Sequence, residues 1–357
     1  MAAIQPPIAM TTKQIDYLNI GLMLLTTALA FVWPLEQLFF ANLLLAPVHY
    51  LTELAWLERR NFFVERRRDI VVLFVIGGFW FVSFVLIQLK NYPAAHEWYQ
   101  GLRGYFFFPL LDLIRISNAS FMFMAFVYAF CLVIKDLRWQ LVVIASFALV
   151  SLLAEPIVLF LGVVLGSVIH TYFFTGAFIL SGALKNRSVP GLVSVGIFLL
   201  CGLSFMASEF FPQQFSGLDF YWQRNMGNAS TVRLVVDNLV GALYTGEAPL
   251  TDELLTTSQL GVAVVRFLSF MYAYHYLNWF SKTTVIKWHQ IDRRATVVVS
   301  LLVLLAFLAY MVNKVFYFFV IALYSNYHSV MEFPLNYRSF VAIRQDWPKF
   351  FARQSAG

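Results

Sequence analysis

The sequence predicts an all-α protein, a polytopic bundle of about nine transmembrane helices forming one integral membrane domain over 1–357. Three observations carry that reading. Hydrophobic residues make up 60% of the chain and charged residues only 12%, about half the share of a soluble domain. Runs of mostly apolar residues recur at lengths near the roughly 20 that an α-helix needs to cross a bilayer. The arginines and lysines gather between those runs. A chain this apolar cannot cover a globule with polar surface, so lipid is its expected solvent. Aromatic residues reach 18%, with 38 Phe, which suits helices facing lipid tails and long apolar ligands.

The leader "MAAIQPPIAMTTKQ" lacks the pattern of a cleaved signal, and the first span is expected at 16–33. Pro34 turns the chain tightly into a second span at 37–57. The third follows at 70–89 after "ERRNFFVERRRD", and the fourth at 106–134. The apolar run from 140 to 184 divides at Glu155–Pro156 into spans 140–154 and 156–184. The residue before proline resists the helical conformation, and proline suits a helix start. Spans at 190–208, 259–280 and 296–324 complete the set, and the polar segment 326–357 is expected as a C-terminal tail. The segment 208–259 is too long for a simple connector. Within it "STVRLVVDNLVGAL" has the spacing of a helix lying on the membrane surface.

The distribution of Lys and Arg orients the bundle. With a cytoplasmic N-terminus, "ERRNFFVERRRD", "KDLRWQ", "KNRS" and "SKTTVIKWHQIDRR" all fall on the cytoplasmic side. "KNYPAAHEWYQGLRG" and the 208–259 loop fall outside. The tail, with Arg338, Arg344, Lys349 and Arg353, is basic although nine spans would put it outside. The last apolar run is long enough to contain an extra half-span that would return it. A bacterial inner membrane is the expected location. Cys131 and Cys201 lie in apolar runs and read as packing residues. No P-loop, dinucleotide fingerprint, G-x-S-x-G or H-E-x-x-H occurs, and nothing supports nucleic-acid binding. No internal repeat of the transporter kind is present.

Ionisable residues at membrane depth are costly and are functional candidates by default. His49 and Glu53 in "APVHYLTELAWLERR" are four apart, on one helical face with Thr52 beside them. An imidazole nitrogen and a carboxylate oxygen at that spacing reach a common point, as metal ligands do. The competing reading is a His–Glu hydrogen bond that locks two helices. His170 lies in "GSVIHTYFFTGAF", followed by Thr171 and Thr175. His275 lies in "YAYHYLNWFSK", with Asn278 and Lys282 on its face, and His289 follows in the next loop. These four histidines are expected at similar depths near the cytoplasmic side, while His96 and His328 are expected outside. Asp112, Arg115, Glu155 and Arg266 form a second set toward the outer face, best read as ion pairs between helices. Arg266 and His275 point to opposite sides of their helix.

The stretches "APVHYLTEL", "SVIHTYFF" and "YAYHYLNWFSK" resemble the bacterial membrane-bound β-carotene dioxygenase family. That family is multi-helical, holds iron through histidines and an acidic residue on separate spans, and cleaves carotene to retinal. The resemblance implies His49, Glu53, His170 and His275 as iron ligands. It is confined to these stretches. Tyr50 and Glu53 stand where the family's H-G-x-x-D motif has glycine and aspartate, and Trp279 stands where a second late histidine belongs. The resulting expectation is a membrane metalloenzyme, a non-haem-iron oxygenase acting on a lipid or isoprenoid substrate that enters from the bilayer. In it Asn278 or His289 takes a catalytic part by orienting substrate or ligand. The alternative is a transporter, channel or membrane subunit of a larger homo- or hetero-oligomeric envelope complex, with His49–Glu53 as a proton relay or helix lock.

Overall fold

The computed structural model describes residues 10–91, 93–151, 162, 164–211, 240, 258–282 and 291–352. These are helical almost throughout, with no strand among them. Twelve helices are numbered among the described residues. α1 is Thr12–Val32, α2 Pro34–Glu58, α3 Arg67–Asn91, α4 Pro93–Gly101, α5 Phe108–Ile116 and α6 Asn118–Val133. α7 is Leu137–Ser151, α8 Leu165–Asn186, α9 Val189–Ser204, α10 Gln259–Ser281, α11 Arg293–Val312 and α12 Lys314–Ala352.

Seven of these helices are long and apolar enough to cross a membrane. An eighth span is reached if the bent pair α5 and α6 counts as one. The expected uninterrupted span at 106–134 is therefore bent, by 64°. At the bend Asn118 turns away from its own helix. Its amide donates to Ser83 Oγ (2.6 Å) and to the Trp80 carbonyl (3.2 Å), tying α6 to α3. Beside it Ser117 Oγ donates to the Leu113 carbonyl (2.8 Å), local side-chain bonding of the kind that bends helices. The expected span 140–154 corresponds to α7, which is described only as far as Ser151. The Glu155–Pro156 break and most of the 208–259 loop, including the expected surface helix apart from Val240, lie outside the described residues.

Local chemistry sets the helix ends. Thr11 and Gln14 form a capping box at the start of α1, with Gln14 N donating to Thr11 Oγ1 (3.3 Å) and Thr11 N donating to Gln14 Oε1 (2.8 Å). Pro34 opens α2 directly after Trp33, as the sequence predicts. Inside α2 the backbone widens into a π-turn over Ala41–Leu45 just ahead of Pro47. Proline lacks an N–H and crowds the carbonyl four residues back, so the wider turn lets α2 continue through it to His49. A second π-helical stretch, Leu165–Phe173, carries His170 within α8.

The largest departure from the sequence expectation is at the C-terminal end. The run 296–324 is not one span. α11 ends at Val312, and Asn313 takes an extended conformation with its Oδ1 accepting from Val315 N (2.8 Å) and Phe316 N (3.1 Å). This cap starts α12, and 326–352 is helix rather than a polar tail. α12 packs against α2, α3, α6, α8 and α11, which makes it the central helix of the bundle. Its buried polar side chains Asn326, His328, Ser329, Glu332, Asn336 and Ser339 recur at helical spacing and point inward. Mean hydropathy does not register a helix of this kind as a span, because its polarity is turned toward the protein.

α10 is likewise enclosed, with Val265, Leu268, Phe270, Met271, Tyr274 and Tyr276 all buried. α11 lies at the rim, and its Val297, Val298, Leu301, Leu304 and Leu308 are each at least half exposed. That is the pattern of a helix facing lipid. Cys131 and Cys201 form no disulfide, and Cys201 is buried. Asp112 and Arg115 pair within α5 (2.8 Å) rather than between helices. An i,i+3 spacing on a nine-residue helix already brings them together. Glu155 lies outside the described residues.

Candidate metal centre

Four helices deliver six ionisable side chains to one buried place. α2 supplies His49 and Glu53, α8 His170, α10 His275, and α12 His328 and Glu332. The structure therefore brings together all four residues that the sequence nominates as ligands. It adds His328 and Glu332, from the segment that the sequence predicts as a polar tail with His328 outside; His328 is 1% exposed. The missed pair had a legible signal. "HSVME" repeats the H-x-x-x-E spacing of "HYLTE", and it lies on a polar stripe running from Asn326 to Ser339.

The contacts are close. His49 Nε2 and His328 Nε2 face each other at 3.1 Å. Glu53 Oε2 lies 3.3 Å from the first and 3.1 Å from the second. Glu332 Oε2 lies 3.7 Å from His328 Nε2 and 3.4 Å from His170 Nε2. Within two sets, His49–His275–His328 and His170–His328–Glu332, the donor atoms all lie within 4.8 Å of one another. His328 belongs to both.

In the triangle of His49, His328 and Glu53, two edges, His49–His328 and His328–Glu53, have hydrogen-bond geometry, and the third, His49–Glu53, does not. A ring nitrogen of neutral imidazole either donates or accepts, never both. In the triangle of His49 Nε2, His328 Nε2 and Glu53 Oε2, no proton assignment makes good bonds on all three edges. A shared cation satisfies all three at once. Metal–nitrogen and metal–oxygen bonds of about 2.0–2.2 Å place neighbouring donors about 3.0–3.5 Å apart, which the triangle matches. His170 Nδ1 and Nε2, His275 Nε2 and Glu332 Oε2 are buried and have no hydrogen-bond partner among the described residues. Buried polar atoms in that condition call for an ion or another explanation. The two carboxylates would offset the charge of one divalent ion.

The surroundings hold these side chains in place. Thr175 Oγ1 contacts His275 Nδ1 at 2.8 Å. With the Nδ1 proton donated to the threonine, Nε2 carries the lone pair that turns into the cluster. Trp279 Nε1 donates to Thr52 Oγ1 (3.1 Å), which in turn donates to the Val48 carbonyl (2.6 Å), joining α10 to α2 beside His49. Tyr50 and Tyr276 join their hydroxyls (2.7 Å) and lay their rings against His328 and His49, at centroid distances of 4.8 and 4.9 Å. Lys282 Nζ sits 5.4 Å from the Phe178 ring. Thr175→Val should leave the fold intact and weaken metal affinity about 10- to 100-fold, the usual effect of losing a partner behind a ligand. A competition titration with a metal chelator measures this.

Asn278, expected on the face of His275, bonds toward α1. Its amide donates to the Tyr274 hydroxyl (3.0 Å), which donates to Asn19 Oδ1 (3.3 Å), and Ser281 Oγ also donates to Asn19 (3.0 Å). In these contacts Asn278 fastens α10 to α1. His289 lies outside the described residues. Arg266 is 1% exposed and serves a different purpose from His275. Its guanidinium donates to the carbonyls of Phe31, Ser208 and Phe211, and so holds together chain ends that lack helical partners.

Comparison with known proteins returns no match: no family model, no curated protein and no solved structure corresponds to this chain.

Proposed function

We propose that this chain is a multi-pass membrane metalloenzyme, a non-haem-iron oxygenase acting on a lipid or isoprenoid substrate. The observation that carries the reading is the His49–His328–Glu53 triangle, of which hydrogen bonds account for two edges and a shared cation would account for all three. A set of imidazoles with one or two carboxylates suits iron among the common divalent metals. When bound, iron would supply the activation of oxygen. His49, His275 and His328 would hold it, with Glu53, Glu332 and His170 completing the set. Thr175 orients His275, and the tyrosine pair and Trp279 keep water from the histidines. The apolar, aromatic-rich bundle admits oxygen and a hydrocarbon substrate more readily than a charged one.

The metal content of protein purified in mild detergent tests this. About one ion per chain in the wild type, lost in His49→Ala, is the expected result. A folded wild type without stoichiometric metal would overturn the reading. It would favour the alternative, in which the chain of contacts His49–Glu53–His328–Glu332–His170 relays protons in a transporter or an envelope complex.

A further inference from the structure

A groove on the rim of the bundle makes a second site, separate from the histidine cluster. It encloses about 500 Å³ between α2 and α11, within the roughly 300–1,000 Å³ of small-molecule sites. Val48, Thr52 and Ala55 form one wall and Thr296, Val303 and Phe307 line the other, with Ser300 between them. Both helices qualify as membrane spans, so the medium that reaches the groove is lipid.

The direction of the two helices decides what fits. Phe39 of α2 packs on Tyr310 of α11, at 6.2 Å between ring centroids. The groove then pairs Ala55 with the Thr296 end of α11, so the helices are antiparallel. At a rise of 1.5 Å per residue, Thr296 to Phe307 spans about 16 Å, close to half of the roughly 30 Å hydrocarbon core. That is one leaflet, the depth that one acyl chain fills. Antiparallel packing also places Arg59 and Arg60 of the α2 end beside Arg293 and Arg294 of the α11 start, all four exposed. Arg60 leans on the Trp56 ring at 4.0 Å. Arg59, Arg293 and Arg294 make no ion pair among the described residues. Glu58 and Asp292 are the acidic side chains next to these arginines in sequence, and Asp292 is engaged in capping α11 through Arg294 N (3.1 Å). The balance of charge is positive.

We propose that this groove binds an anionic phospholipid, one acyl chain lying between α2 and α11 and the phosphate meeting Arg59, Arg293 and Arg294. The proposal goes beyond the metal reading and does not rest on it. Groove residues and ligands alternate along α2, since Val48 precedes His49 and Thr52 precedes Glu53. A lipid seated here would therefore brace the helix that carries two of the cluster's side chains.

Native mass spectrometry of the full chain tests this, after exchange into mixed vesicles of dioleoylphosphatidylglycerol and dioleoylphosphatidylcholine and release into mild detergent. The wild type should retain about one phosphatidylglycerol per chain in preference to phosphatidylcholine. Ser300→Trp, at an exposed position on the groove wall, should fill the space and abolish retention of both. Arg293→Gln with Arg294→Gln should keep a bound lipid but lower the preference, by about fivefold for each arginine. Equal retention of the two lipids by the wild type would overturn the proposal. So would retention unchanged in Ser300→Trp, or a groove closed by a second copy of the chain with no lipid bound. Circular dichroism serves as the folding control and should not change in these variants.

Discussion

His328→Ala abolishes metal retention while the bundle stays assembled: that is the expected result, and it is the largest effect at the centre. His328 is the only residue common to both donor sets, at 3.1 Å from His49 Nε2 and from Glu53 Oε2 and 3.7 Å from Glu332 Oε2. Removing it leaves each set with two members and opens a space between two carboxylates. A metal's binding energy depends on a full ligand set, so the loss should exceed the 10- to 100-fold change expected for Thr175→Val. His96→Ala is the control, because His96 is exposed and its hydrogen bonds among the described residues go to the Lys90 carbonyl (2.7 Å) and Gln100 (3.1 Å). Metal content of the two variants after gel filtration decides the matter. Equal metal in His328→Ala and wild type would remove α12 from the centre and return the site to the four residues nominated by the sequence.

The second large effect concerns the helix that carries His328. Phe333→Ala should destabilise the protein by about 3–5 kcal/mol, the usual range for deleting a fully buried aromatic side chain. Phe333 is completely buried, next to Glu332. Its ring meets Phe126 of α6 edge-on at 5.3 Å and Phe174 of α8 at 6.5 Å, so it holds α12 against two neighbours at once. The loss should appear as a lower midpoint of unfolding in a denaturing detergent. Added metal should recover part of it, because a ligand that binds only the folded state shifts the equilibrium toward that state. A variant as stable as wild type would mean that α12 is held by contacts other than this aromatic cluster.

Much of the molecule was legible before any coordinates. Composition and run length are sufficient for a helical membrane bundle, because lipid leaves the backbone no alternative but to satisfy itself within helices. Pro34 marks the first hairpin for the same local reason in sequence and structure. His49 and Glu53 could be paired on one face from their spacing alone, and their contact at 3.3 Å follows from helix geometry. His170 and His275 were nominated simply because an imidazole at membrane depth requires a partner.

The tertiary structure decided the rest. Asn313 ends one helix and caps the next, so the chain after it returns through the middle of the bundle. A hydropathy average over all faces of α12 reads as a polar tail, whereas burial is settled face by face by what the helix packs against. The same limit explains the bend at Asn118, which depends on Trp80 and Ser83 of another helix. It also explains Asn278, whose partners Tyr274 and Asn19 turn it toward α1. Periodicity along one helix determines which side chains are neighbours on that helix. Which helices cross, and at what depth, is determined by packing between segments hundreds of residues apart, and only that packing brings His328 and Glu332 to His49, Glu53, His170 and His275.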